Sequence, residues 1–147
     1  MKHLYNLIHC ISTCISLPLL VSGIIHFNNP YAFMETIYGY RLVPESIGPF
    51  LAAILPSFLI AISIAIMFDF NNRKILFFIC CILFICFIFA QASAWIRGLN
   101  ISCGCFGTGD GMKIGFKTLA IPLIGLGFSL SGFLLLQKKP LNQEPKI

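Results

Sequence analysis

The sequence predicts an all-α integral membrane protein, a four-helix bundle with both termini on one side. Three observations carry this. Of the 147 residues, 58% are hydrophobic and only 10% are charged, against about 25% charged in a typical soluble domain. Four stretches, residues 4–27, 47–68, 75–96 and 118–137, exceed the roughly 18 apolar residues that mark a membrane span. None shows the ten-residue alternation of a barrel strand, and in lipid a lone apolar segment satisfies its backbone groups only as a helix. Residues 1–137 are read as this transmembrane domain and 138–147 as a short polar tail. The net charge of +5 falls in loops and tail with no Lys/Arg stripe. It fits membrane topology rather than nucleic-acid binding.

The first span begins after Lys2 and reads as an uncleaved signal anchor. It is longer than a secretory h-region, no small-x-small site closes it, and Ile24 stands where a lipoprotein box needs cysteine. Cys10 and Cys14 share a helix face and read as small packing residues. His9 reads as packed or interfacial, and Pro18 as a kink. Asn28-Asn29-Pro30 ends the helix. The aromatic stretch 31–40 suits a short interfacial helix. His26, Glu35, Arg41 and Glu45 share this face, where charged residues are ordinarily a solvated loop.

The second span carries Pro56 and no ionisable residue. The short polar turn 69–74 predicts that spans two and three are antiparallel neighbours. The third span holds Cys80, Cys81 and Cys86, again read as packing residues. Cys86 precedes Ile96 by ten residues, about 15 Å along a helix, out of reach of the next loop. Gln91, Ser93 and Trp95 make the end of this helix more polar. The fourth span is rich in Gly and Ser, which lets helices approach closely in lipid and predicts a central position in the bundle.

The loop 97–117 is the most glycine-rich interior segment. It contains Arg97-Gly98 and the run Cys103-Gly104-Cys105-Phe106-Gly107. A Cys-Gly-Cys pair can close a small, constrained disulfide, and constrained disulfides are the more oxidising and labile ones. Arg97, Lys113 and Lys117 nearby favour the reactive thiolate. Three readings stand in order: thiol–disulfide exchange by Cys103 and Cys105, a structural disulfide, and a metal site. The last has only two cysteines here, with His26 distant, against the four ligands of structural zinc. The side bearing the termini carries six Lys/Arg (2, 73, 74, 138, 139, 146) and the other four (41, 97, 113, 117). The positive-inside rule therefore puts the termini in the cytoplasm and the cysteine loop outside, where disulfides persist.

Taken in order, several stretches resemble the MauE family, within the wider DoxX-like group of four-helix membrane proteins. Residues 22–30 (Ser-Gly-Ile-Ile-His-Phe-Asn-Asn-Pro) resemble the end of the family's first helix. Tyr40-Arg41-Leu42-Val43-Pro44 resembles its first loop, Leu55-Pro56 its second helix, and Arg97-Gly98 with Cys103-Gly104-Cys105-Phe106-Gly107 its third loop. The likeness runs to about Leu136. The chain departs at two positions: His26 stands where the family often has lysine, and Leu59 where it often has glutamate, so roles tied to those charges do not carry over. The resemblance implies a role in methylamine utilisation, supporting maturation of the disulfide-rich small subunit of methylamine dehydrogenase. It also implies a periplasmic thioredoxin-like partner, in keeping with the charge topology, which puts the protein in the cell (inner) membrane with the loop in the periplasm if the source is Gram-negative. Two alternatives come from other classes. One is a non-catalytic docking or chaperone subunit with a structural disulfide; the other is a quinone-binding oxidase subunit, quinone being the one cofactor the sequence leaves open. Nothing resembles a nucleotide loop, a hydrolase triad or paired intramembrane carboxylates.

Overall fold

The computed structural model describes residues 2–68, 73–99, 101 and 114–138. Helix α1 spans Lys2–Asn28, α2 Pro30–Gly39, α3 Gly48–Met67, α4 Arg73–Ile96 and α5 Phe116–Lys138. All but α2 are long and apolar enough to cross a membrane. The result is a multi-pass bundle of four spans plus one short helix. The polar turn 69–72 and the tail from 139 lie outside the described residues.

Each helix boundary has a local cause. Pro30 opens α2, where a missing N–H costs nothing, after the break at Asn29. Helix α4 ends in a Schellman motif. Leu99 N–H donates to Ala94 O at 3.0 Å and Gly98 N–H to Trp95 O at 3.0 Å. Gly98 takes φ +66°, the left-handed conformation this cap requires of its glycine. Helix α5 begins under Thr118, whose Oγ1 accepts from Gly115 N–H at 2.9 Å. That side chain satisfies one of the amide donors a helix start leaves open.

Helix α1 is the organising span. It packs against α2, α3 and α5, while α4 packs mainly on α5. This corrects two expectations. The fourth span is not central: α5 is the least buried of the four spans and α1 the most. Spans two and three, despite their short connection, barely touch. The reason lies in side-chain shape. The α5 glycines do permit close approach, but to α4 alone. A Cβ on Gly132 would lie 2.5 Å from the Phe77 ring, and one on Gly125 2.5 Å from the Phe84 ring. On the other side, Gly23 of α1 lets α3 come so near that a Cβ would meet Pro56 O at 3.2 Å and Ile60 Cγ1 at 2.8 Å.

The core fills the end of the bundle that bears the termini. Ile8, Ile11, Ile15 and Leu19 of α1 recur at helical spacing and meet Leu59, Ile62 and Ile66 of α3, Phe77, Cys80, Leu83 and Phe84 of α4, and Leu136 of α5. At the same end, the Arg73 guanidinium lies 3.3 Å from His9 Nε2, so His9 is a polar contact to the start of α4 rather than only a packed residue. A second, smaller cluster joins Phe33 and Ile37 of α2 to Ala52 of α3. The cysteines divide. Cys80 and Cys81 are buried as expected, but Cys10, Cys14 and Cys86 are exposed on the bundle surface. In lipid that surface is apolar, and a thiol is as compatible with it as with a core.

Candidate functional site

The loops opposite the termini are held together by one side chain. Arg97, just past the end of α4, donates from Nη2 to Tyr40 O at 2.6 Å, from Nη1 to Arg41 O at 3.4 Å, and from Nε to Ser93 O at 3.1 Å. The two outer acceptors are carbonyls just past the end of α2. A planar guanidinium can reach both at once, and a cation is favourable at a helix C-terminus. Arg41 itself turns the chain away with φ +49°, a conformation seldom taken by a side chain larger than Asn. The following loop is folded back over α2. Tyr38 donates from its hydroxyl to Glu45 O at 2.9 Å, and its ring lies so near Gly48 that a Cβ there would meet it at 2.3 Å.

The cysteine loop departs from this clasp. Ile114 N–H donates to Ile101 O at 2.9 Å, which brings the two ends of the loop together. Ile101 then packs on Gly39, with 3.4 Å from its Cγ2 to the position of a Cβ there. The loop base is thereby seated on the end of α2. Cys103, Gly104, Cys105, Phe106 and Gly107 lie outside the described residues, as does Lys113. Of the supporting residues, Arg97 and Gly98 belong to the clasp, and Lys117 is exposed in the first turn of α5.

Below the clasp, the bundle is not filled. A cavity of about 390 Å³ lies between all five helices, reaching from Cys14 and Leu59 up to Tyr40 and Val43. His26 is part of its wall. It is 3% exposed and stacks on Phe33 with ring centroids 4.2 Å apart. Gln91 of α4, 2% exposed, lines the same space. The structure thus separates His26 from Arg41, which the sequence places on one face as secondary site candidates: Arg41 is exposed at the surface, whereas His26 faces the cavity. His26 and Leu59, the two departures from the family pattern, line the same cavity.

Sequence reasoning missed the partnership of Gln91 with this cavity, the bond between Ile101 and Ile114, and the role of Tyr38. A buried amide inside a span was a visible signal, since polar residues at membrane depth cluster at functional sites. The loop-closing bond had no sequence signal at all.

Fold and site together define a class: a four-span helical membrane protein with a clasped loop cluster, at the end opposite the termini, next to an internal cavity. The match to the model of methylamine utilisation protein MauE covers residues 4–136, and the chain belongs to the MauE family. Neither the curated proteins nor the solved structures compared with it give a match.

Proposed function

We propose that this protein carries out thiol–disulfide exchange through Cys103 and Cys105 at the extracytoplasmic face of the cell membrane. Its partner is a periplasmic thioredoxin-like protein, and the exchange supports maturation of a disulfide-containing exported protein. Membership of the MauE family favours methylamine dehydrogenase as that client. The observation that carries the reading is the closed base of the loop. Ile101 and Ile114 are joined by a backbone hydrogen bond, and the adjoining Arg97 clasp fixes that base to α2. A closed base keeps the two points from which the Cys-Gly-Cys segment departs at one separation, which favours its presentation to a macromolecular partner.

Each single exchange balances between the two sulfur pairs. One thiolate attacks a sulfur of the partner's disulfide, forming a mixed disulfide and releasing one partner thiolate. The second cysteine attacks its neighbour's sulfur in that mixed bond. This leaves a Cys103–Cys105 disulfide and a partner dithiol. The reverse sequence oxidises the partner. Two electrons and two protons pass in either direction. The excess of Lys and Arg on the side of the termini, six against four, supports a cytoplasmic position for the termini and an outer position for the loop.

The test is the redox state of the thioredoxin-like partner in cells carrying Cys103→Ser or Cys105→Ser. Either substitution is expected to shift the partner's oxidised fraction while leaving the membrane level of the protein unchanged. A partner with normal redox state in both variants would overturn the proposal. A membrane-impermeant maleimide that labels the loop only in permeabilised cells would overturn the orientation.

A further inference from the structure

The bundle is built as two helix pairs, α1 on α3 and α4 on α5, and α3 and α4 barely touch across the division between them. Near the termini the main core fills that division, with Ile8 and Ile11 of α1 in one cluster with Phe77 of α4 and Leu136 of α5. Toward the opposite end the cavity of about 390 Å³ stands where a core would be. Its wall on α1 runs from Cys14 to His26, about 18 Å along the helix axis. The volume is drawn out over that length, so the space is a slot lying along the spans.

The wall is suited to hydrocarbon. Among the described lining residues there is no Asp, Glu, Lys or Arg. The polar side chains there are engaged within the protein: Thr36 donates from Oγ1 to Ala32 O at 3.1 Å, His26 stacks on Phe33, and Ser22, Tyr40 and Gln91 each have an interaction of their own. Such a lining favours an apolar occupant over water. Left empty, it would forfeit dispersion contacts along its whole length.

The way in is lateral. The first and fourth spans run in opposite directions, which sets Cys14 about level with Phe128 and Pro18 about level with Ile124. All four line the slot, and all four are exposed at the surface of the spans. That surface faces the bilayer interior, so the phase adjoining the opening is acyl chain. At the end away from the termini, Leu42 lines the slot and is 43% exposed. The next residue back is Arg41, an exposed cation at the depth of the headgroups.

We propose that the slot is a phospholipid site. One acyl chain lies between the two helix pairs and completes the core there, and the headgroup phosphate is held at Arg41. The site stands apart from the cysteine loop and does not depend on the thiol chemistry.

The test is photolabelling of the full chain in phosphatidylcholine nanodiscs that carry a trace of phosphatidylcholine with a diazirine on one acyl chain. Adducts are mapped by peptide mass spectrometry. Leu59 lines the slot and is 2% exposed, beyond the reach of a chain lying on the outside of the bundle. Phe89 is 70% exposed and reports those outer chains. Adducts are expected at both. Ala90→Phe narrows the slot from α4 and Leu55→Phe from α3. Each should remove most of the Leu59 adducts and leave those at Phe89 unchanged, read on whichever variant keeps the circular dichroism of the parent. A diacylglycerol probe with the same diazirine lacks the phosphate and should label Leu59 roughly two- to five-fold less, relative to Phe89; Arg41→Gln should remove that difference. Adducts at Phe89 with none at Leu59 in the parent, or Leu59 adducts undiminished in the narrowed variants, would overturn the site. Equal labelling of Leu59 by the two probes in the parent would overturn the place of the phosphate.

Discussion

Replacing Gly23 with alanine sets two effects against each other, and the geometry decides the sign. In a helix interior, alanine is better than glycine by about 0.8–1.0 kcal/mol. At Gly23, however, the new Cβ would stand 2.8 Å from Ile60 Cγ1, 3.2 Å from Ile60 N and 3.2 Å from Pro56 O. Two of these three are backbone atoms of α3, which cannot rotate away, so α1 and α3 must separate. Overpacking of this kind costs about 1–3 kcal/mol. Taking the middle of that range, the propensity gain leaves a net loss of about 1 kcal/mol. The measurement is unfolding in mixed micelles titrated with dodecyl sulfate, followed by far-ultraviolet circular dichroism. Truncating the neighbour in the same background, Ile60→Ala, removes the nearest atom but neither backbone contact. The pair should therefore show a favourable coupling of about 0.5–1 kcal/mol in a double-mutant cycle, with only partial rescue. A Gly23→Ala protein that is more stable than the parent by about 1 kcal/mol, with no coupling to Ile60, would refute the close crossing of α1 and α3.

Other outcomes follow from the same geometry. Gly98→Ala should cost about 1–2 kcal/mol in the same assay. Nothing lies within 4 Å of the added methyl, so the whole effect is the left-handed backbone, and Gly98→Asn should recover part of it. Arg97→Lys keeps the charge but cannot span both carbonyls. Hydrogen exchange at residues 40–43 should quicken several-fold, and equal rates in the two proteins would dismiss the clasp. Thr118→Val removes the bond to Gly115 N–H at nearly constant shape and should cost about 1 kcal/mol, read as a lower melting temperature. A lipid-soluble maleimide should label Cys14, which is exposed, and spare Cys80, which is fully buried; reversal of that order would contradict the packing of α1 and α4.

The four spans were legible because lipid leaves so little choice. The apolar runs at 4–27, 47–68, 75–96 and 118–137 become helices at Lys2–Asn28, Gly48–Met67, Arg73–Ile96 and Phe116–Lys138. The short helix after Pro30 and the end at Asn29 were legible too, because proline acts through its own backbone. The order of packing was not. The glycines of α5 announce that something comes close, but only the Phe77 and Phe84 rings lying over Gly132 and Gly125 say that it is α4 and not the bundle centre. A cavity is space left by many side chains and has no motif, so His26 and Gln91 were seen singly and never as two walls of one site. The outward positions of Cys10, Cys14 and Cys86 escaped for a related reason. Hydropathy does not distinguish a lipid-facing apolar position from a buried one.

The hydrogen bond between Ile101 and Ile114 has an evolutionary consequence. The twelve residues from 102 to 113 leave and rejoin the scaffold at a single point. A loop whose ends are already joined can change length cheaply: doubling it costs only about 0.6 kcal/mol in closure entropy. Chain closure at this point is therefore a weak limit on how many residues stand between those two isoleucines. Exchanging the intervening segment for one of twice the length should leave the stability of the bundle within about 1 kcal/mol, so the junction of Ile101 and Ile114 works as a socket of fixed width.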